Sequence, residues 1–236
     1  MQAVVPAAGK GTRLRPRTAD RPKGLVEVAG RPLLSHVFGT LAGLGVSEVV
    51  VVVGYRGEDI REHYGDSYGD LPLTFVRQDE RLGLAHALLQ ADPHVEGEFV
   101  CLNGDNVCRA NLEAVLDRHR EAGADATSLV DDVSRERARE GGVFEFDGES
   151  VVGLVEKPEE PPSTRVPRGF YVFSERIFDA CRLVTPADTG EYELTDAVDL
   201  LVAAGRTVET VPLEGWVRNV NTSADIEWVT ERLADE

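Results

Sequence analysis

Lysine is scarce in this sequence: Lys10, Lys23 and Lys157 are the only three in 236 residues. Cysteine is as rare. Cys101, Cys108 and Cys181 are odd in number and form no CxxC pair, which argues against a disulfide scaffold or a zinc knuckle. No run approaches the roughly 18 apolar residues of a membrane helix. The opening MQAVVPAAGKG also lacks the layout of a secretory signal, so the expected setting is the cytoplasm. Positive charge is short overall, with 25 Lys plus Arg against 42 Asp plus Glu, a formal net charge of −17 and a pI near 4.7. Such a surface repels nucleic acid and anionic membrane, and both are set aside as partners.

What remains is ample for folding. At 42% hydrophobic residues the chain can bury a core and is too apolar for disorder. Its length suits one large α/β domain or two small ones. A folded protein this acidic, with Arg nearly replacing Lys, has the composition of a salt-adapted one. Because lysine is disfavoured elsewhere, the three retained lysines mark sites where an ammonium is specifically needed.

The hydrophobic pattern alternates. A short strand, Gln2 to Val5, is bounded by Pro6 and opens into the small and basic stretch Ala7-Ala8-Gly9-Lys10-Gly11-Thr12-Arg13-Leu14-Arg15-Pro16. Leu33, Val37, Leu41 and Leu44 share a helix face that follows Arg31-Pro32 and ends at Gly45. The valine run within 48–53 predicts a strand buried on both faces. Helices near 57–64, 84–91 and 111–122 then alternate with strands near 73–77, 99–102 and 126–130. This order predicts βαβ units and a mostly parallel sheet, with ligands outside the carboxyl ends of its strands. Gly9 to Arg13 and Asn103-Gly104-Asp105-Asn106 both follow strand ends and should face one crevice. Beyond about residue 140 the pattern changes: strands 143–146 and 151–156 flank Asp147-Gly148, a hairpin signal. A strand near 170–173 and helices near 175–182 and 195–204 complete an antiparallel subregion laid on the parallel sheet.

Three segments could carry chemistry. Gly9-Lys10-Gly11-Thr12-Arg13 is either a flexible basic turn or an anion cradle, in which two glycines let backbone N–H groups approach a ligand. Its spacing is not that of a Walker A loop, and Leu14 stands where a dinucleotide fingerprint needs its third glycine. Asp105, within Gly104-Asp105-Asn106, is either a turn residue or a Mg²⁺ ligand, since that ion takes one or two carboxylates beside phosphate oxygens. Glu156-Lys157-Pro158 is either a surface ion pair or a second anion site. The five histidines show no metal-ligand spacing, and His86, on a helix, is assigned a contact or packing role.

The stretch Ala7 to Pro16, continued by Pro22-Lys23, resembles the signature of sugar-1-phosphate nucleotidyltransferases, the nucleoside-diphosphate-sugar pyrophosphorylases. The resemblance spans essentially the whole chain, because Gln78 to Ala87, Gly104-Asp105-Asn106, Gly142, Glu156-Lys157-Pro158 and Gly190 to Asp196 fall in the family's order. It implies a Rossmann-like, mostly parallel sheet flanked by helices with an antiparallel sugar-binding subregion. It further implies one domain over 1–236, with a nucleotide part up to about 140 and a sugar part from about 141.

By that resemblance, a sugar 1-phosphate oxygen attacks the α-phosphorus of a nucleoside triphosphate and pyrophosphate leaves, with Mg²⁺ as cofactor. Ala7, Ala8, Gly9, Gly11, Thr12, Arg13, Lys23, Gln78, Gly83 and Asp105 would bind the nucleotide. Asn106, Gly142, Glu156, Lys157 and Gly169 would bind the sugar phosphate. Arg13, Lys23, Asp105 and Lys157 would carry the catalytic charge. The stretch Gly83-Leu84-Ala85-His86-Ala87 resembles members using UTP or dTTP, and glucose 1-phosphate is the favoured sugar.

The chain departs from the family pattern in places. Asn219 stands where a second metal-binding Asp is usual, leaving Asp105 and a doubtful Asn219 as the metal set; Arg218 beside it could partly replace the metal charge or oppose it. Asn221, Gly141 and Pro6 also replace commoner residues. No appended β-helix or acetyltransferase domain is expected, and the apolar stretch Val198 to Val202 is a candidate homo-oligomer interface. Two other readings stay open: a non-catalytic nucleotide-binding relative, and a cytidylyltransferase acting on a phospho-alcohol.

Overall fold

The structure, a computed structural model, describes residues 1–235. From the N-terminus come β1 (Gln2–Ala7), a small ladder of β2 (Glu27–Val28) and β3 (Arg31–Pro32), α1 (Leu33–Gly43), β4 (Val49–Val53), α2 (Gly57–Tyr64), β5 (Ser67–Tyr68), β6 (Leu71–Arg77), α3 (Leu84–Ala91) and β7 (Phe99–Leu102). They are followed by β8 (Asn106–Ala110), α4 (Leu112–Ala122), β9 (Ala126–Asp132), α5 (Arg135–Ala138), β10 (Gly142–Asp147), β11 (Ser150–Glu156) and β12 (Arg165–Phe173). The last elements are α6 (Arg176–Leu183), α7 (Leu194–Ala203), β13 (Val208–Pro212), β14 (Gly215–Asn219) and α8 (Ser223–Ala234).

Eight strands in the order β13-β9-β12-β7-β1-β4-β6-β5 make the main sheet of the described residues, parallel except at β12 and β5. The five valines of β4 show why it sits inside. Val50 and Val52 join Leu88 of α3, Ile177 of α6 and Val198 of α7 on one face. Val49, Val51 and Val53 meet Val37 of α1, Ile60 of α2 and Val115 of α4 on the other. A strand whose side chains alternate faces is apolar throughout only when both faces are covered. Each fully buried aliphatic side chain contributes about 1.5–3 kcal/mol of transfer free energy.

Four features differ from the sequence expectation. β1 runs through Pro6 instead of ending before it. Its β7 neighbour pairs only as far as Val4, so the missing N–H of Pro6 costs no bond on that side, and the Pro6 carbonyl accepts from Gly104 N at 3.0 Å. The strand near 170–173 extends back to Arg165 and enters the main sheet antiparallel between β7 and β9, so of the three strands expected in the antiparallel subregion the hairpin pair β10 and β11 lies apart. The stretch Val198 to Val202 is not an exposed apolar run. It belongs to α7, where Val198 and Leu201 are buried on the core, while Leu200 and Val202 pack against it.

The fourth difference is the C-terminal segment, in which β14 pairs with β8 and α8 follows, opened by a capping box of Thr222 and Asp225. These elements build a third core in which Trp216, Val220, Ile226 and Val229 pack with Leu14, Val26 and Val28. Leu14, fully buried there, anchors the basic glycine loop from beneath. Among the described residues no helix is long and apolar enough to cross a membrane.

Candidate functional site

The glycine loop follows β1 and is shaped by backbone geometry. Gly11 has φ +62°, and a Cβ there would lie 3.0 Å from the Lys23 Cβ and 3.2 Å from the Thr18 methyl. Only glycine lets the Lys23 stem pack this closely against a left-handed backbone. Thr18 Oγ1 donates to the Gly11 carbonyl at 2.8 Å and closes the loop. Six of the chain's 25 basic residues lie between Lys10 and Lys23, so the local field is positive in a strongly acidic protein.

Two cavities flank this loop and share Pro6, Gly9, Gly11, Thr12 and Leu84 as walls. One, of about 290 Å³, is charged and lined by Arg13, Lys23, Asp105 and Asn221. The other, of about 330 Å³, is lined by Ala8, Leu84, Ala87 and Gln78, with Lys10, Arg81 and Glu191 also on its walls. Together they make one cleft across the glycine loop, with Arg13, Lys23 and Asp105 at one end and Ala8, Leu84, Ala87 and Gln78 at the other. All ten residues expected to bind nucleotide line one cavity or the other: Ala7, Ala8, Gly9, Gly11, Thr12, Arg13, Lys23, Gln78, Gly83 and Asp105.

In the charged cavity four side chains form a closed ring. Lys23 Nζ donates to Asp105 Oδ2 at 2.6 Å and to Asn221 Oδ1 at 2.8 Å. Asn219 Nδ2 donates to Asp105 Oδ1 at 3.0 Å, and Asn221 Nδ2 donates to Asn219 Oδ1. The Val220 N–H adds a backbone tie to the Asp105 carbonyl at 2.8 Å. The ring pairs one ammonium with one carboxylate, and amides carry the rest. Asn221, met in the sequence only as a departure, is thus part of the site. Its partner is 198 residues away, which no local pattern reveals.

Arg218 plays a different part from the one its sequence position implied. Adjacent strand residues face opposite ways, so Arg218 leaves the cleft and pairs with Asp225, Nε to Oδ1 at 2.7 Å, with its guanidinium 5.2 Å from the Trp228 ring. It neither replaces nor opposes a metal charge at Asp105. Burial pushes the Asp225 carboxyl up, but hydrogen bonds from Asn221 N and Thr222, with Arg218 beside them, outweigh it and hold the carboxyl below its usual range.

The residues expected at the sugar phosphate line neither cavity and fall into two groups. Asn106 is buried, and its Nδ2 donates to the Arg168 carbonyl at 2.7 Å. Gly169, at φ +69°, lies against Asn103 and Asn106, and a Cβ there would meet the Asn106 amide at 2.5 Å. Asn103 Oδ1 and Asn106 Oδ1 are buried without a hydrogen-bond partner among the described residues, two acceptors beside the cleft. The second group is on the hairpin. Lys157 Nζ lies 3.1 Å from Glu156 Oε1, Glu156 Oε2 accepts from Thr195 Oγ1 at 3.0 Å, and a Gly142 Cβ would strike the Thr195 methyl at 2.4 Å. The hydrogen bond to Glu156 raises the Lys157 pKa, while burial and the nearby Glu156 raise those of Glu193 and Asp196. The Glu191 carboxylate, on the apolar cavity, also acts on Lys157, which links this group to the cleft.

For a hard divalent cation the donor set is sparse. Among the described residues no three His, Cys, Asp or Glu side chains cluster to hold a metal. Asp105 offers one carboxylate, while the Asn219 amide turns its NH₂ to it and the Asn219 and Asn221 oxygens accept from Asn221 and Lys23, so a Mg²⁺ ion here fits only as one held mainly by phosphate oxygens and water.

Comparison with known proteins agrees with this geometry. Residues 2–229 match the family model described as nucleotidyl transferase. The chain is 48% identical over 237 residues to the UTP–glucose-1-phosphate uridylyltransferase AglF of Haloferax volcanii, covering all of this chain and 98% of that protein. It is 36% identical over 229 residues to a glucose-1-phosphate thymidylyltransferase of Streptomyces griseus, covering 96% of this chain and 64% of that longer protein. Among solved structures, a UDP-glucose pyrophosphorylase complexed with UDP-glucose superposes with a TM-score of 0.89 at 20% identity, over 99% of this chain and 98% of the other. A UDP-glucose pyrophosphorylase from Acinetobacter baumanii gives 0.81 at 24%, over 98% and 92%. At these identities the likeness concerns the fold.

Proposed function

Given that this chain belongs to the nucleotidyl transferase family, we propose that it joins UTP or dTTP to glucose 1-phosphate, giving a nucleoside-diphosphate sugar and pyrophosphate. The observation that carries this reading is the two-ended cleft: a pocket walled by Ala8, Leu84, Ala87 and Gln78, with Lys10 and Arg81 on its walls, joins a pocket lined by Arg13 and Lys23 across one glycine loop. A phosphate oxygen of the sugar would form the new bond to the α-phosphorus as the bond to the β-phosphate oxygen breaks. No covalent intermediate with the protein is needed, so positioning and charge neutralisation would carry the rate.

The roles follow from placement. Backbone N–H groups of the Gly9–Thr12 loop would hold the triphosphate, and Arg13 would offset charge on the departing pyrophosphate. Lys23, at the bottom of the cationic pocket and only 10% exposed in its side chain, would meet the α-phosphate. Lys157 would receive the sugar phosphate from the hairpin side. Asp105, joined by the Asn219 amide oxygen only if that amide turns over from its present bond to Asp105, would hold Mg²⁺, and that ion would supply further neutralisation of the triphosphate. The acidic, lysine-poor composition and the relative from Haloferax volcanii support a salt-rich cytoplasm as the working medium.

The test is pyrophosphate release in multimolar KCl with Mg²⁺, using UTP, dTTP, CTP and GTP, each with and without glucose 1-phosphate. Sugar-dependent release with UTP or dTTP is expected, and release with no pair overturns the transferase reading. One observation favours a second reading, binding without turnover: both Asp105 oxygens are engaged, one by an amide where a second acid would strengthen a metal site. Under that reading nucleotide still raises the melting temperature while no pair reacts, and Asn219→Asp gains activity.

A further inference from the structure

The base end of the cleft holds a hydrogen-bond relay whose direction is set by its backbone carbonyls and its shortest contacts. Gln78 is 3% exposed, and its backbone N–H is tied to Val53 O at 2.8 Å. The atom assigned as its amide nitrogen lies 3.2 Å from the Gly83 carbonyl oxygen and 2.8 Å from His86 Nδ1. A peptide carbonyl can only accept, so the group facing it must be the NH₂. That same NH₂ meets His86 Nδ1, which must then carry a lone pair. The Gln90 amide nitrogen, held by the His86 carbonyl at 3.1 Å, lies 3.5 Å from His86 Nε2, so the shorter Nδ1 contact assigns the acceptor to Nδ1 and the N–H to Nε2. Both amide hydrogens are used. Gln78 Oε1 accepts from nothing among the described residues and is the uncommitted atom of that amide on the cavity wall.

The Gly83 carbonyl cannot easily turn away. Gly83 has φ +95°, and a Cβ there would lie 2.5 Å from the Tyr192 carbonyl oxygen. Tyr192 clasps the segment through two backbone bonds, its N–H to Leu82 O at 2.7 Å and its carbonyl accepting from Ala85 N at 3.0 Å. The chain from Tyr192 to Gly83 to Gln78, braced by His86, is rigid from backbone to side chain.

We propose that His86, acting with the Gly83 carbonyl, is a positioning residue that locks Gln78 with its carbonyl oxygen toward the base, so that the site selects pyrimidines bearing N–H at ring position 3. Uracil and thymine carry that donor; cytosine presents a lone pair there, which would face another lone pair. The inference rests on the transferase reading and adds to it the residue that enforces the choice of base. A buried acceptor left opposing an acceptor is costly, which is why one amide orientation can discriminate strongly.

The experiment compares the wild type with His86→Leu, which keeps volume but removes the acceptor, and with His86→Asn, which restores an acceptor at the δ position. For each, kcat and KM are measured with UTP and CTP at saturating glucose 1-phosphate, and binding of both nucleotides is followed by calorimetry. The wild type should prefer UTP. In His86→Leu the UTP-to-CTP preference should fall about tenfold, the net worth of roughly one hydrogen bond, with the loss in KM for UTP rather than in kcat. His86→Asn should recover most of it. An unchanged ratio in His86→Leu, or equal losses for both nucleotides, overturns the proposal. If the wild type turns over neither nucleotide yet binds UTP over CTP in a His86-dependent manner, the transferase reading falls and the relay stands. Equal binding of both overturns the relay.

Discussion

Replacing Asn219 with aspartate sets a second carboxylate against the first. In the native ring the Asn219 amide donates to Asp105 Oδ1 at 3.0 Å; the variant loses that bond and leaves two carboxylate oxygens at the same separation. At an effective dielectric constant of 20, two unit charges at that distance repel by about 5.5 kcal/mol. Three effects reduce it. The Lys23 ammonium already sits on Asp105, the Asp105 side chain is 28% exposed, and molar salt shortens the screening length to about 3 Å. A net loss of about 2 kcal/mol is expected without divalent cation, with one of the two acids taking up a proton more readily. For a chain of this size each kcal/mol moves the melting temperature by about 2–4 °C, giving a fall of about 4–8 °C. Millimolar Mg²⁺ should restore the difference, because an ion that takes two carboxylates is then offered both. The assay is thermal melting of both proteins in KCl, with EDTA or with Mg²⁺. A fall below about 1 °C in EDTA, or the same Mg²⁺ increment in both proteins, would refute the ring as the electrostatic centre of the site.

Leu14→Ala removes a fully buried side chain from beneath the glycine loop. A loss of about 2–5 kcal/mol in urea unfolding is expected, together with a raised KM for nucleoside triphosphate, since Gly11 to Arg13 lose their anchor. Gly11→Ala combines a left-handed backbone with a Cβ 3.0 Å from the Lys23 stem, so nucleotide affinity should drop, as read by calorimetry. Asp225→Asn tests a pH dependence. The folded Asp225 carboxyl is held below its ordinary value, so the stability it contributes is present above that value and is lost as pH falls through the depressed one. The variant should be about 1–2 kcal/mol less stable at pH 7 through the weakened cap and ion pair, and the gap should close on acidification.

Much of the architecture is legible in local chemistry. A run of five valines requires two covered faces, Asp147-Gly148 requires a tight turn, and helices at 57–64 and 84–91 stand where their periodicity predicts them. The glycine loop after β1 and Asp105 after β7 are both placed at carboxyl ends of parallel strands by the alternation of elements alone. The scarcity of lysine likewise pointed to Lys10 and Lys23, which line the cleft.

Other features were invisible along the chain because they depend on residues far apart in it. The Lys23–Asn221 contact spans 198 positions, Asn219 was set beside Asp105, 114 positions away, only by the family resemblance, and β14 acquires its role only by pairing with β8. Asn219 and Arg218 are neighbours in sequence, yet one faces the acid of the site and the other leaves it for Asp225. Composition and period report what a segment needs to bury and where the backbone must turn. They carry no record of which distant segment satisfies it, since the free energy of Leu14 packing on Val229, or of one ammonium shared by an acid and an amide, exists only after the chain has closed those long loops.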